Sequence, residues 1–337
     1  MNMVTFVSRR LVAMVPVLLG VTILTFLLSH VIPGDPARLL VGQKASDEVV
    51  KRMREELGLN DPLHIQYWNY LKQLLRGDLG MSIRNRRPVV QDLAERFPAS
   101  FELTFVSLFI CVIIAIPLGI LTAVRRNHVV DHVTRVLALL GVSTPVFWWG
   151  LLLLLIFYFR LGWLPGPGRI DLAVPPPAGH TGLYILDSLL SRDWRALGSS
   201  LRHLVLPAFC LCYVYLAIMT RMVRSSMLEV LNLDYIRTAR ANGLPERAII
   251  FRHALRNALV PTVTIVGLSF GELIGGAILT ETIFAWPGLG SYMVDSVLFL
   301  DFPAIMGCTI LVCLIYMAAN LIVDIAYGFL DPQVRWG

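Results

Sequence analysis

Long, largely uncharged stretches alternate with polar segments along this chain of 337 residues. Hydrocarbon offers the backbone no hydrogen-bonding partner, so a run that crosses a bilayer core of ~30 Å has to be a helix of ~20 residues. The runs near that length cover residues 11–32, 103–124, 136–159, 204–220, 258–280 and 302–323. Pro117, Pro145, Pro207 and Pro261 stand inside these runs, and each permits a kink. The pattern predicts an all-α membrane protein with about six transmembrane helices, of which the fourth is the shortest.

Composition agrees with this class of protein. The chain is 56% hydrophobic and 15% charged, whereas soluble domains carry roughly 25% charged residues. The net charge of +6 comes with no basic block interleaved with aromatic residues, so topology explains it better than nucleic-acid binding. All five cysteines lie inside apolar runs and are expected to pack as small hydrophobic residues rather than to bind metal.

The lysines exclude one kind of nucleotide site. A P-loop requires Gly-Lys followed by Ser or Thr to hold phosphates. The chain has only Lys44, Lys51 and Lys72, and none stands in that context. If the protein depends on ATP, another chain has to hydrolyse it.

Arginine positions predict the orientation, because positively charged short loops resist translocation. Arginine pairs flank the first two runs on one side, and they are Arg9, Arg10, Arg125 and Arg126. The segment 221–257 adds seven arginines, whereas the short segment 281–301 has no Lys or Arg. Both termini and 221–257 are therefore expected in the cytoplasm. Arg9-Arg10 precedes a run of full span length without a small-x-small cleavage site, so a retained first helix is expected rather than an export signal.

Two long segments are expected on the outer side. In 33–102, Ser46 is placed to cap a helix with Val49, Met53 and Leu57 on one stripe and Gly58 closing it. A second helix is expected to start at Asp61-Pro62, to carry Trp68, Leu71 and Leu75 on one face, to end at Gly77 and to lie at the membrane interface. The proline-rich segment of about 160–203 is expected to be an irregular loop.

The segment 234–258 is too polar to span, yet its pattern is helical. Asn242-Gly243 gives a left-handed C-terminal stop after one helix, and Pro245 suits the first turn of a second. The pattern predicts helix, glycine turn, helix, projecting from the cytoplasmic face. It suits docking to a partner protein; the arginines alone would equally suit a loop lying on anionic lipid.

The same segment carries a family resemblance. The run RTARANG (237–243) resembles the EAA motif of ABC importer permeases, although Arg237 and Thr238 stand where the motif has Glu and Ala. HALRNALVP (253–261) is similar to the variant found in dipeptide, oligopeptide and nickel permeases, where the proline comes late, here as Pro261. Other segments similar to that subfamily are IPGDP at 32–36, GDLGMSI at 77–83, ETIFAWPGLG at 281–290 and DPQVR at 331–335.

The resemblance implies an ABC type I importer bundle, closest to the B-type subunit of dipeptide permeases. It implies one permease domain over 1–337 with its core at 96–328, a folded helical periplasmic insertion at 33–102 and a cytoplasmic coupling loop at 221–257. ATPase contact would fall on Tyr235, Arg237, Thr238, Ala239, Asn242, Gly243, Leu244, Pro245, His253, Arg256 and Asn257.

The resemblance also implies partners and a location. It implies a non-catalytic subunit without cofactor or metal in the bacterial inner membrane, importing di- or oligopeptides. The implied partners are a second similar permease, two cytoplasmic ATPases that bind ATP and Mg, a periplasmic solute-binding protein, the peptide and membrane lipid, but no nucleic acid. Related permeases carry haem or nickel chelates, and these remain alternative substrates.

The fifth apolar run holds two further candidate features. Gly267, Gly271 and Gly275 are spaced four apart, a row that lets another helix approach closely, either within the bundle or from a second subunit. Glu272 lies next to that row, and a charge at mid-membrane costs at least ~2.5 kcal/mol. It either lines a pathway and meets the amino end of a peptide, or forms a hydrogen bond with a Ser, Thr or Asn of another helix.

Two other classes of protein fit less well. A self-contained channel or secondary transporter is disfavoured, because one buried carboxylate is a poor basis for coupling transport to an ion. The sequence also shows no repeat of two similar halves, which many secondary transporters have. An intramembrane enzyme would need a nucleophile with a base or paired acids, and the runs contain neither GxSxG nor HExxH.

Overall fold

The computed structural model describes residues 3–31, 36–42, 44–56, 58–179 and 181–330. Within these ranges the chain has no strand, only an isolated β-bridge between Met81 and Pro88, so the predicted all-α class is confirmed. Most of IPGDP and all of DPQVR lie outside the described residues. The helices are α1 Met3–Val31, α2 Pro36–Val41, α3 Asp47–Glu56, α4 Leu63–Leu75, α5 Val89–Val124, α6 Val129–Ser143, α7 Val146–Leu153, α8 Tyr184–Leu190, α9 Trp194–Leu231, α10 Asp234–Ala241, α11 Glu246–Ala248, α12 Leu255–Ala258, α13 Val260–Gly276, α14 Ile278–Ile283, α15 Leu289–Leu298 and α16 Phe302–Leu330. π-Helical turns at Leu154–Arg160 and Ile249–Ala254 follow α7 and α11.

Four helices of the described chain, α1, α5, α9 and α16, are long and apolar enough to cross a membrane alone. With ~1.5 Å per residue, the 38 residues of α9 extend about 57 Å. The fourth apolar run, expected to be the shortest span, is therefore the middle of the longest helix. The polar flanks of this run continue the helix, and only its central part has the length of a hydrocarbon core.

Two bent helix pairs are further candidate spans. The axis turns by 105° between α6 and the helix of α7 with its π-turn, and by 51° between the 246–258 helix and α13. The first bend falls at Pro145, before which Thr144 is extended, as a residue before proline favours. Counting each bent pair once gives six spans within the described ranges. The third predicted run, 136–159, thus covers two helical arms rather than one straight helix.

The core forms where α5 and α9 pack along each other. Its buried side chains include Leu103 of α5 and Met219 of α9, and Trp286 lies against the same cluster. The two backbones come close at Gly119, where an added Cβ would lie 2.6 Å from Cγ1 of Val223. Because any side chain at that position would clash, this glycine sets the distance between the two central helices.

An ion pair and a close packing contact show which helix ends lie together. Arg10 near the start of α1 pairs with Asp324 near the end of α16 at 3.2 Å, so both of these helix ends lie together. Gly267 in the first half of α13 lies against Val323, the residue before Asp324. We call this the inner end; it carries the segment 221–257. The opposite or outer end carries α14, α15 and the segment 77–88.

The helices of the insertion differ in detail from the predicted ones. Val50 of α3 is buried and Val49 is 45% exposed, so the predicted stripe is wrong by one residue, while Leu57 lies outside the described residues. The face of α4 that contacts α1 carries Tyr67, whose hydroxyl is 2.9 Å from that of Thr22. Trp68 points away and is 59% exposed. The aromatic residues next to the predicted stripe, rather than the stripe itself, hold α4 to the bundle.

The proline-rich segment is irregular only to about residue 183. The expectation that it continues as a loop to 203 is wrong, since α8 and the start of α9 occupy that part. Asp193 explains the early start of α9, because its carboxylate accepts the backbone N–H groups of Arg195 and Ala196 at 3.1 and 2.9 Å.

Candidate functional site

The segment 234–258 folds as a helical hairpin at the inner end. After α10, Gly243 adopts a left-handed conformation with φ of +75°. Its N–H donates to the carbonyl of Arg240 at 2.9 Å, and the N–H of Leu244 donates to that of Ala239 at 3.3 Å. This pair of bonds is a Schellman closure, which favours glycine at the left-handed position. Pro245 is the residue immediately before the next helix, one position earlier than its predicted place in the first turn.

The hairpin has an apolar core of its own. Ile236 of α10, Ile249 in the π-turn and Ala258 of α12 are fully buried. They pack in one cluster with Ile120 of α5 and Met227 of α9. The packing of the hairpin is therefore continuous with that of the two central helices.

Polar contacts bridge its two arms. The guanidinium of Arg240 donates to Glu246 at 2.7 Å across the glycine turn, and this contact raises the pKa of Arg240. The side-chain amide of Asn257 donates to the hydroxyl of Tyr235 at 2.8 Å, and that hydroxyl donates to the carbonyl of His253 at 3.4 Å. These contacts are exposed and each adds little stability.

Most of the residues predicted to contact an ATPase lie on the surface of the hairpin. Those exposed in this chain are Tyr235, Arg237, Thr238, Asn242, Gly243, Leu244, Pro245, Arg256 and Asn257. His253 is half-buried, and Ala239 is buried inside the hairpin. A partner could therefore touch the tip around Leu244, whereas Ala239 acts by packing.

Glu272 lies on an uncovered face of α13. Its side chain is exposed in this chain, next to Leu268 and Gly276, which are exposed on the same face. Its carboxylate accepts one long hydrogen bond, 3.4 Å from the hydroxyl of Tyr215 on α9. The partner is thus a tyrosine rather than a Ser, Thr or Asn.

The glycine row of α13 faces α16 of the same chain. Gly267 lies against Val323, an added Cβ at Gly271 would lie 2.7 Å from the ring of Tyr316, and one at Gly275 would lie 3.0 Å from Val312. The absence of a side chain at each of these three glycines lets α16 approach closely, so the row serves contact within the bundle.

Sequence reasoning gave no role to a buried acid at the outer end. Glu281 of α14 is fully buried and accepts the hydroxyl of Ser100 at 2.5 Å and the backbone N–H groups of Gly290 and Ser291 at 2.7 and 3.0 Å. Burial raises its pKa, while these donors act in the opposite direction. The carboxylate lies at the N-terminus of α15, where negative charge is favourable. The signal was present in ETIFAWPGLG, where an acid stands in an apolar segment just before a glycine-rich helix start.

A second buried acid anchors the proline-rich loop. Arg169 donates to Glu102 of α5 at 2.5 Å, and both side chains are about 95% buried, with exposures of 6% and 5%. Arg169 also donates to the carbonyl of Gly182 at 2.8 Å and stacks over Tyr184, 3.7 Å from its ring centre. Glu102 stands just before the second predicted run, so the count of one intramembrane acid overlooked it.

The outer end is closed by two more acids. Asp92, fully buried in α5, accepts from Arg87, from Asn85 at 2.7 Å and from the hydroxyl of Tyr292 at 2.9 Å. Asp301 accepts the hydroxyl of Ser82 at 2.5 Å. Segment 77–88 is thereby fixed to α15 and the start of α16. Among the described residues no cluster of three His, Cys, Asp or Glu side chains could hold a metal ion.

Family comparisons cover nearly the whole described chain. Residues 115–336 match the family described as "Binding-protein-dependent transport system inner membrane component". Residues 3–104 match the N-terminal family described as "Binding-prot-dependent transport system membrane comp, N-term".

Individual relatives align end to end. The probable D,D-dipeptide transport system permease protein DdpB of Escherichia coli (strain K12) is 49% identical over 99% of this chain and 98% of its own length. The dipeptide transport system permease protein DppB of Alkalihalophilus pseudofirmus is 42% identical over 99% of this chain and all of its own length. The glutathione transport system permease protein GsiC of Salmonella typhi is 40% identical over the same shares.

Proposed function

This chain belongs to the family of binding-protein-dependent transport system inner membrane components, and we propose that it conducts short peptides into the cell. As a member of that family it is a multi-pass membrane permease subunit of an ABC transporter and not an enzyme. The relatives are named for dipeptides, D,D-dipeptides and glutathione, which share an amide backbone with charged ends. That shared chemistry favours short peptides over haem or nickel chelates.

In this proposal the hairpin 234–258 is the lever on which cytoplasmic ATPases act. The observation that carries it is the buried cluster joining Ile236 and Ile249 to the ends of α5 and α9. Two ATPases, holding ATP and Mg, would move the tips of two such hairpins, one on this chain and one on a second permease. A periplasmic solute-binding protein would deliver the peptide to the outer end, where buried acids give a rigid surface.

We place Glu272 in the pathway. An ionised group in hydrocarbon is costly, so it faces water or a partner. This chain leaves the Glu272 face of α13 uncovered, with only Tyr215 in contact. A carboxylate there would attract the ammonium end of a passing peptide.

The lever is tested with Leu244, which is 41% exposed at the hairpin tip. Leu244→Asp is expected to lower ATPase co-purification and uptake of a labelled dipeptide at least tenfold, because interface anchors are worth ~2 kcal/mol or more. Leu298→Asp is the matched control, since Leu298 is 73% exposed but lies at the outer end. Normal ATPase binding by Leu244→Asp, or an equal loss in the control, would contradict the lever.

The pathway role has its own test. Glu272→Gln is expected to lower dipeptide uptake in cells while ATPase co-purification stays normal. Tyr215→Phe, which removes the neighbouring hydroxyl alone, should have a smaller effect. Unaltered dipeptide uptake by Glu272→Gln would contradict the pathway role.

The substrate class has a separate test in the wild-type protein. Inhibition of labelled-dipeptide uptake by haem but not by unlabelled dipeptide would overturn the peptide assignment.

A further inference from the structure

A cavity of about 220 Å³ lies at the inner end between α6 and α9, with Thr122 of α5 also in its lining, and away from Glu272. Three arginines line it, Arg135 from α6 and Arg221 and Arg224 from α9, together with a single acid, Asp131. With three positive groups and one negative group, its lining carries a formal charge of +2. A concave site with net positive charge is suited to an anion.

Of the three arginines, only Arg224 forms an ion pair with two hydrogen bonds inside the described part of the chain. Asp131, which is fully buried, accepts two hydrogen bonds from Arg224, at 2.8 and 2.9 Å. Arg135 is farther from that acid, at 3.6 Å; it also donates to Nδ1 of His132 at 2.8 Å, and its side chain is half-exposed, which leaves its other N–H groups open. Arg221 has neither an ion pair nor a side-chain hydrogen bond within the described part of the chain. Arg135 and Arg221 therefore have donors to offer a ligand.

The neutral hydroxyl of Thr220 is a second indication that the cavity holds an anion. Thr220 lines the cavity and is 4% exposed, yet its hydroxyl has no hydrogen-bond partner among the described residues. Leaving a buried hydroxyl unpaired costs ~1–3 kcal/mol, so such groups normally find a partner. An oxyanion in the cavity would bring acceptor oxygens next to Thr220 as well as to the arginines.

The surroundings distinguish a lipid from a soluble anion. Ala138 and Leu139 also line the cavity, and the outward face of α6 is apolar, with Val136 57% exposed and Leu139 62% exposed. A phosphate bound by the arginines would thus have hydrocarbon contact surface beginning one helical turn away. Basic pockets between helices on the cytoplasmic side are suited to anionic headgroups.

We propose that the cavity between α6 and α9 binds the phosphate group of an anionic phospholipid, held by Arg135, Arg221 and the hydroxyl of Thr220. Its acyl chains lie along the exposed apolar face of α6. The lipid occupies the bent third span next to the pair Arg224–Asp131, which fixes the start of α6 to α9. The site stands on the geometry of this chain and does not depend on the peptide substrate.

The test is native mass spectrometry of the full chain with its partner subunits, in mixed micelles of equimolar phosphatidylglycerol and phosphatidylcholine. Arg221→Gln and Arg135→Gln are each expected to lower retention of phosphatidylglycerol about fivefold, the equivalent of ~1 kcal/mol per arginine near anionic lipid. Thr220→Val should lower it less. Arg126→Gln is the matched control, since Arg126 is an exposed arginine of the inner end that does not line the cavity.

Three results would overturn the proposal. The first is unchanged phosphatidylglycerol retention in Arg221→Gln, whose exposed position keeps folding intact. The second is an equal loss in Arg126→Gln, which would indicate only a general basic surface. The third is displacement of the lipid by millimolar inorganic phosphate in the wild-type protein, which would assign the cavity to a soluble anion.

Discussion

Removing the guanidinium of Arg169 is expected to release the proline-rich loop 161–183 from the outer end of the bundle. In Arg169→Met, Glu102 would remain buried and keep one donor, the N–H of Ile185 at 2.7 Å. The hydrogen bonds of Arg169 to Glu102, at 2.5 and 3.2 Å, and to the carbonyl of Gly182 would be lost. The loss concerns charged groups that water does not reach, and so it is not screened as a surface pair would be.

The magnitude follows from that geometry. Breaking a buried ion pair by removing one partner costs ~3–5 kcal/mol, because the other charge stays buried without compensation. With ~1.4 kcal/mol for each factor of ten, the loop should open between about 100-fold and a few thousand-fold more often. Glu102→Gln leaves Arg169 similarly uncompensated, whereas the double variant lacks any buried charge. The sum of the two single-variant changes in the free energy of loop opening should therefore exceed the change in the double variant by ~2–3 kcal/mol.

Hydrogen–deuterium exchange of peptides from 161–190 measures this opening. The reporters are the amide of Ile185 and the amide of Gly168, which donates to the carbonyl of Phe284 at 2.8 Å. Arg202→Met is the matched control, since Arg202 is exposed and donates to the carbonyl of Trp163 in the same loop at 3.3 Å. It should change exchange by no more than about threefold.

Two outcomes would refute the reasoning. Exchange in Arg169→Met that rises no more than in Arg202→Met would mean that the buried pair does not hold the loop. Strict additivity of Glu102→Gln and Arg169→Met would mean that the two charges are not coupled, despite their 2.5 Å separation.

Three further outcomes follow from the packing and the ion pairs, each read as the apparent unfolding free energy in detergent titration. Glu281→Ala should lose ~2–4 kcal/mol because three buried donors lose their acceptor, and Glu281→Gln should recover part of it; equal values would show that the donors find other partners. Gly271→Ala should lose ~1–3 kcal/mol through overpacking against α16, whereas Gly276→Ala, where an added Cβ meets nothing within 4 Å among the described residues, should not destabilise; a harmless Gly271→Ala would contradict close packing. Arg10→Asp should lose at most ~1 kcal/mol and regain it in Arg10→Asp/Asp324→Arg, since the pair is partly exposed; failure of the swap to recover stability would mean that the ions are not paired.

Local signals in the sequence predicted the hairpin well. Gly243 and Pro245 act on their own neighbours, so the turn and the helix that follows could be placed without knowing the rest of the fold. The same holds for the existence of the spanning helices, because an apolar run in hydrocarbon has one way to satisfy its backbone. The start of α5 and both ends of α9 were missed because their polar flanks remain helical outside the apolar stretch, held by partners such as Asp193 at the start of α9.

The buried acids could not be placed from sequence, since their partners are distant in the chain. Glu281 meets Ser100, 181 positions earlier, and Glu102 meets Arg169, 67 positions later. A single acid beside an apolar run is compatible with a pathway, an ion pair or a helix cap, and the sequence gives no distance that separates them. Geometry assigns Glu281 to a helix cap and Glu102 to an ion pair, which leaves Glu272 as the acid whose environment this chain does not complete.

The two faces of α13 constrain where a second permease would approach. Gly271 is covered by Tyr316 of α16, so the glycine row is already occupied and a neighbouring subunit would have to use another face. Glu272 is the next residue, about 100° around the helix, and its face is open. If two such permeases enclose a pathway, the Glu272 carboxylate and the exposed face of α13 available to a second permease lie on the same side of the helix. The small residues of α13 pack against α16 of the same chain, so in this proposal the open face that carries Glu272 is where a second permease would approach.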